Sequence, residues 1–116
     1  MNKLLIKLND WGCDIDGAMN RLLDDEELYI TCLDSLLSDS NFEALAVAIK
    51  DNDVNAAFEC AHTLKGVLGN MGITPMYQLM SSIVEPLRIG KFDNVLENYE
   101  MLMKDKAYLQ KLYDEQ

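Results

Sequence analysis

Apolar side chains recur at helical spacing along almost the whole chain, and this pattern constrains the fold more than any other feature. Near the C-terminus, Phe92, Val95, Tyr99 and Leu102 follow one such stripe. Only two prolines and six glycines interrupt 116 residues, and residue types that favour helix dominate the composition. No pair of alternating apolar and polar runs suggests a β-hairpin. We therefore predict an all-α fold.

The stripes divide the chain into an N-terminal docking helix and six further helical segments. These begin near residues 15, 26, 41, 54, 74 and 92, and the first ends near 23 and the last near 113. Ser40 and Glu43 have capping-box spacing, Asp53 is a cap, and Thr74 caps a helix that opens with Pro75. Short connections favour antiparallel neighbours. Residues 1–116 are expected to form a single domain. Within it, about 41–113 form an up-down-up-down four-helix bundle, and helices within about 3–38 cover it.

The charge balance excludes several classes of partner. Twenty acidic and ten basic residues give a formal net charge of −10. Nucleic acid and anionic membranes require a basic surface, so a protein with a basic or apolar docking face is the better partner. Cys13, Cys32 and Cys60 form no CxxC pair, and we expect reduced thiols in the cytoplasm. The chain contains no signal-peptide pattern and no apolar run of membrane-spanning length.

One helix carries an unusual polar side around His62, the only histidine in the chain. At about 100° per residue, Lys65, Gly66, Gly69 and Phe58 share the side of His62. The apolar stripe lies on the opposite side and comprises Ala57, Ala61, Leu64 and Leu68. Glycine costs a helix about 1 kcal/mol relative to alanine. Because both glycines face away from the predicted core, close helix packing does not explain them.

This arrangement favours a histidine that reacts from an open helix face. A metal site is disfavoured, because Glu59 is the one carboxylate nearby and there is no second histidine. A serine hydrolase would need strand-borne loops and an oxyanion hole. A partly neutral imidazole is a nucleophile at cytosolic pH. Lys65 can donate a charge-assisted hydrogen bond to an anion on the ring, and Gly66 and Gly69 leave room for it.

The segment His62-Thr63-Leu64-Lys65-Gly66, preceded by Ala61 and followed by Gly69-Asn70-Met71-Gly72, resembles the signature of histidine-containing phosphotransfer (HPt) domains. The likeness extends over roughly residues 12–100. It implies a four-helix bundle that accepts a phosphoryl group from an aspartyl phosphate on a receiver domain and passes it to another receiver. It also implies no kinase or ATPase activity, no cofactor or metal, and Mg²⁺ on the receiver alone. A receiver domain or a hybrid sensor kinase would be the partner of a monomeric carrier.

The resemblance also implies a role for each residue around the histidine. His62 would accept the phosphoryl group, Lys65 would stabilise it, and Gly66 would leave room for it. The docking surface would include Glu59, Gly69 and Asn70. Phe58 either packs on the receiver or closes the edge of the core.

One position departs from the family pattern. Several members carry Gln or Glu 22 residues after the histidine, where this chain has Val84, and Glu85 is the possible substitute. An HPt-like module that binds a receiver or kinase without carrying phosphate is the main alternative, and a plain helical adaptor is another. A start at Met1 favours a free-standing protein, and a domain cut from a larger kinase is the alternative.

Overall fold

A computed structural model describes residues 2–116, and within this range the chain forms seven helices and no strand. The helices are α1 (Lys3–Trp11), α2 (Ile15–Arg21), α3 (Glu26–Leu37), α4 (Asn41–Lys50), α5 (Val54–Asn70), α6 (Thr74–Arg88) and α7 (Val95–Asp114). The predicted all-α class and the order of its segments are confirmed.

The last four helices form the bundle, and one continuous core joins all seven. α5 packs against both α4 and α6, and α6 packs against α7. Since short connections join these neighbours, successive helices run antiparallel. α7 also meets α4, where the Tyr99 hydroxyl donates to the Phe42 carbonyl at 3.0 Å. At the other end of α7, α1 packs against it and Trp11 makes an edge contact with Tyr108.

The helix starts show which predicted caps form. Asp53 caps α5 as predicted, because its carboxylate accepts from the Ala56 N–H at 3.1 Å. The predicted capping box at Ser40 is wrong: Ser40 has helical backbone angles and makes no capping bond. Asp39 instead accepts from the Asn41 N–H at 2.8 Å. Thr74 is not a cap either, because it is already the first residue of α6.

Two predicted helices are longer than the observed ones. In each case a residue with left-handed backbone angles lies within the predicted range but outside the observed helix. Helix α2 ends at Arg21, and Leu23 follows with φ 55° and a side chain that is 89% exposed. Helix α7 begins at Val95 rather than near Phe92, because Asn94 has φ 57°. Left-handed backbone cannot continue an α-helix, so the apolar stripe at both places extends past the helix itself.

The C-terminal end of α5 is held by side chains from the first helices. The Arg21 guanidinium donates to the carbonyls of Gly69 and Asn70, each at 3.0 Å. The buried Tyr29 hydroxyl donates to the Met71 carbonyl at 2.8 Å. The last carbonyls of a helix lack partners within it, so these bonds satisfy groups that would otherwise depend on water.

The turn after α5 is fixed by a backbone contact with the start of α2. The Asp14 N–H donates to the Gly72 carbonyl at 2.8 Å. Gly72 has φ 69°, and a Cβ there would collide with the Asp14 carbonyl. Both the left-handed backbone and the close approach therefore require glycine at this helix end. Across residues 2–116, no helix has the length and apolarity needed to cross a membrane.

Candidate functional site

His62 lies near the middle of α5 on its exposed side. Ala61, Leu64 and Leu68, from the opposite side of the same helix, are fully buried. The helix therefore anchors itself in the core through one side and holds the imidazole outside it. This is the orientation that the helical period predicts.

The imidazole stacks on the ring of Phe58, one turn earlier in α5. The two ring centroids lie 5.5 Å apart, with 20° between the planes. A stack uses the faces of the rings, whereas the nitrogen lone pair and N–H lie in the ring plane. The contact thus orients the imidazole and leaves its nitrogens available at the edge. Phe58 itself is half-buried and packs against the core, so it closes the edge of the core.

An ion pair from α6 lies against the ring of Phe58. The Arg88 guanidinium carbon lies 5.4 Å from the centroid of the Phe58 ring. Glu85 approaches Arg88 with 3.7 Å between Oε2 and Nε. Val84, 22 residues after His62, is fully buried in the core. Of the two α6 residues singled out from the sequence, Glu85 therefore lies on the outer side, where it contacts Arg88.

Lys65, in α5, contacts an aromatic ring of α6. Its ammonium nitrogen lies 5.7 Å from the centroid of Tyr77. The Tyr77 ring lies against Gly69, where an added Cβ would be 3.1 Å from Cε1 and 3.3 Å from Cδ1. The expectation that helix packing does not explain Gly69 is therefore wrong. The phase of α5 excludes Gly69 from the core, but it does not describe the side chains that α6 brings alongside.

Gly66 differs from Gly69, because it opens onto free space. A Cβ added at Gly66 would have no atom within 4 Å apart from its own helix, and the residue is exposed. Glu59 and Asn70 are exposed on the same helix. The surface around His62 thus combines an open backbone position with polar groups on either side.

Sequence reasoning missed Tyr77 and Arg88, although a signal for both exists. Tyr77, Ser81, Glu85 and Arg88 follow one another at intervals of four, four and three residues, which places them on one side of α6. Since α5 and α6 were predicted to be antiparallel neighbours, this side of α6 was available for contact with the histidine helix.

A cleft of about 610 Å³ lies between α3 and α5. Its lining is mostly apolar and includes Leu22, Cys32, Leu36, Val67 and Asn70.

The two cysteines outside this lining are Cys13 and Cys60. Burial raises the pKa of the Cys13 thiol to about 12, and Cys60 is half-buried. In the part of the chain that the structure describes, no group of three or more His, Cys, Asp or Glu residues could hold a metal ion.

Comparison with known proteins gives one match. A family model described as the Hpt domain matches residues 27–114, which is well over half of the chain. No curated protein and no solved structure matches. The matched range contains α4 to α7 and nearly all of α3, and it includes the whole site around His62.

Proposed function

Because the chain belongs to the Hpt domain family, we propose that it is a phosphorelay intermediate in which His62 carries the phosphoryl group. His62 accepts the group from an aspartyl phosphate on a receiver domain and transfers it to the aspartate of another receiver. The observation that carries this proposal is the exposed imidazole beside the open backbone position at Gly66. A phosphoryl donor can reach a ring nitrogen there without displacing a side chain.

The proposed step exchanges one bond to phosphorus for another. A ring nitrogen of neutral His62 attacks the phosphorus, and a P–N bond forms as the P–O bond to the aspartate breaks. The aspartate leaves as a carboxylate, and the other ring nitrogen keeps its proton. Transfer to the second receiver reverses these events. Since little covalent chemistry is asked of the carrier, positioning and charge stabilisation are its main contributions.

Two cations are available to stabilise the transferred group in this proposal. Lys65 projects from α5 and Arg88 from α6. Each lies over an aromatic ring, and Arg88 also pairs with Glu85 at the surface. Arg88 lies over Phe58, the ring on which His62 stacks, so both side chains contact the same ring. Both side chains are long and flexible, and both can donate charge-assisted hydrogen bonds to phosphoryl oxygens. Arg88 thus supplies the polar partner from α6 that Val84 does not.

The receiver docks on the exposed side of α5 in this proposal. Glu59, Gly69 and Asn70 border His62 there, and the apolar cleft between α3 and α5 adjoins them. The carrier acts as a monomer without a cofactor, and Mg²⁺ belongs to the acidic pocket of the receiver. Its three free cysteines suit the reducing cytoplasm.

The test is phosphoryl transfer from a purified, phosphorylated receiver domain to the chain. We expect a label on the chain that acid removes and base preserves, as a P–N bond requires. His62→Gln abolishes this label. Glu100→Gln introduces the same side chain on the exposed side of α7 and serves as the matched control, so its label equals that of the wild type.

Two outcomes would contradict the proposal. Receivers that bind the chain without transferring label would show an interaction module that carries no phosphate. A label that survives in His62→Gln would place the phosphoryl group on another residue. Because His62 is the only histidine, no second imidazole could account for a remaining acid-labile label.

A further inference from the structure

We propose that Tyr77 is a positioning residue that holds the Lys65 ammonium away from His62 until the imidazole is phosphorylated. The inference rests on the proposed function. It adds that the Lys65 side chain has two positions, one on the Tyr77 ring and one on the phosphoryl group. Tyr77 sets the balance between them.

The contact between Lys65 and Tyr77 has the geometry of a cation–π interaction. The ammonium nitrogen lies over the ring at 5.7 Å from its centroid, within the distance at which such pairs attract. Tyr77 is 36% exposed and Lys65 is half-buried, so the pair sits at the surface, where the attraction is modest. A contact of this strength holds the lysine in place. A nearby anion that binds the ammonium more strongly than the ring does can still displace it.

His62 and Lys65 lean in opposite directions along α5. The imidazole stacks on Phe58, one turn towards the N-terminus, while the lysine reaches the ring that lies against Gly69. Gly69 follows His62 by seven residues, or about 10 Å along the helix axis. The ammonium group therefore rests towards the far end of the site and must leave Tyr77 to contact a phosphoryl group on His62.

Gly69 determines where this resting position lies. The Tyr77 ring occupies the space that a side chain at residue 69 would fill, with only 3.1 Å between Cε1 and an added Cβ. The ring is thereby held close to α5, within reach of Lys65. Gly66, one turn earlier, makes no such contact and leaves the path of the lysine towards His62 open.

Phosphorylation changes the balance because it places two negative charges beside Lys65. A charge-assisted hydrogen bond to a phosphoryl oxygen is stronger than an exposed cation–π contact. The ammonium then moves from Tyr77 to the phosphoryl group and uncovers the ring. Loss of the Tyr77 contact is therefore a cost of loading the histidine, and removing the ring should favour the loaded form.

The position of Lys65 can be measured by NMR with phosphoramidate as the phosphoryl donor. The imidazole nitrogen attacks its phosphorus, the P–N bond to ammonia breaks, and ammonia leaves. We expect the Lys65 ε-methylene protons to be shifted upfield by the Tyr77 ring in the unmodified protein. They should move towards ordinary lysine values after phosphorylation. Tyr77→Phe keeps the upfield shift, and Tyr77→Leu abolishes it without phosphorylation.

The energetic consequence is measured by phosphoryl exchange with a receiver domain. Tyr77→Leu raises the ratio of phosphorylated to free carrier by about two- to fivefold, the factor that an exposed cation–π contact represents. Tyr77→Phe stays near the wild type. In a Lys65→Ala background, Tyr77→Leu has no effect, because the cation that the ring holds is already absent.

Three results would overturn the inference. They are an upfield shift of Lys65 that persists after phosphorylation, a lower loading ratio in Tyr77→Leu, and an equal effect of that substitution in the Lys65→Ala background. If no receiver loads the wild-type chain, the proposed function fails. The phosphoramidate measurement still decides whether Lys65 moves off Tyr77.

Discussion

Replacing Gly66 with alanine should stabilise the protein and impair phosphoryl transfer at the same time. Gly66 is an exposed interior residue of α5, and a Cβ there would meet no neighbouring side chain. The fold therefore gains from the substitution, whereas any group that approaches His62 meets a methyl group in a space that is now empty. These opposite effects separate a glycine kept for access from one kept for packing.

The gain in stability follows from helix propensity. Alanine is favoured over glycine in a helix interior by about 1 kcal/mol, and nothing in the surroundings of Gly66 opposes it. For a chain of 116 residues the entropy of unfolding near 60 °C is about 0.24 kcal/mol/K, so Tm should rise by about 4 °C. Gly69→Ala is the matched comparison, because its Cβ would lie 3.1 Å from Tyr77 and offset part of the same gain.

The loss of function follows from geometry at the reacting atoms. A displacement of about 1 Å in an approaching group can lower a rate by up to about a hundredfold. We expect transfer from a phosphorylated receiver to Gly66→Ala to be at least about tenfold slower than to the wild type. Rapid-quench measurement of the labelled chain gives this rate, and thermal unfolding of the same preparation gives Tm.

Two results would refute this reasoning. If Gly66→Ala is more stable and transfers at the wild-type rate, the open position has no part in access to His62. If Gly66→Ala is less stable than the wild type, the space around residue 66 is not open, and a loss of transfer would reflect damage to α5.

Three further predictions follow from contacts within the fold. Tyr29→Phe removes the donor to the Met71 carbonyl and lowers the free energy of unfolding by about 1–3 kcal/mol, measured by urea denaturation at pH 7. Arg88→Leu lowers the ratio of phosphorylated to free carrier by about two- to fivefold, whereas Arg88→Lys retains most of it, because an exposed charge pair is of this strength. Between pH 9 and 10 the Cys13 thiol lowers the free energy of unfolding by up to about 1.4 kcal/mol per pH unit, and Cys13→Ala removes this part of the slope. The reason is that the unfolded thiol ionises above its ordinary pKa of 9.0, while burial raises the pKa of folded Cys13 to about 12, so its contribution is lost as pH rises.

The sequence predicts the parts of the site that one helix determines. A regular helix fixes the directions of its own side chains, so the exposure of His62 and Gly66 opposite a buried stripe follows from spacing alone. Contacts with α6 do not follow, because they depend on how α6 is rotated and shifted beside α5. The packing of Tyr77 on Gly69 is such a contact. Val84 is another case, since counting residues across the turn between the helices does not preserve the helical phase.

Helix ends were predicted less well than helices because neighbouring residues compete for the same role. Asp39 and Ser40 both have side chains that can cap, and only Asp39 does so at the start of α4. Ser40 takes helical backbone angles, whereas a residue that caps through its side chain usually has non-helical ones. At the end of α2, Leu23 adopts a left-handed conformation that is usual for glycine. Local sequence preference therefore gives way to the chain path that the core requires.

The bonds from Arg21 to the end of α5 also affect the electric field around the histidine helix. The carbonyls at the C-terminus of a helix carry a partial negative charge of about half an electron. Arg21 places a full positive charge against two of these carbonyls, in a chain whose formal net charge is −10. The negative pole beside Asn70 is thereby compensated, so an anionic group that approaches this helix meets less repulsion than the overall charge suggests. The N-terminal helices thus adjust the potential of the surface around the histidine helix.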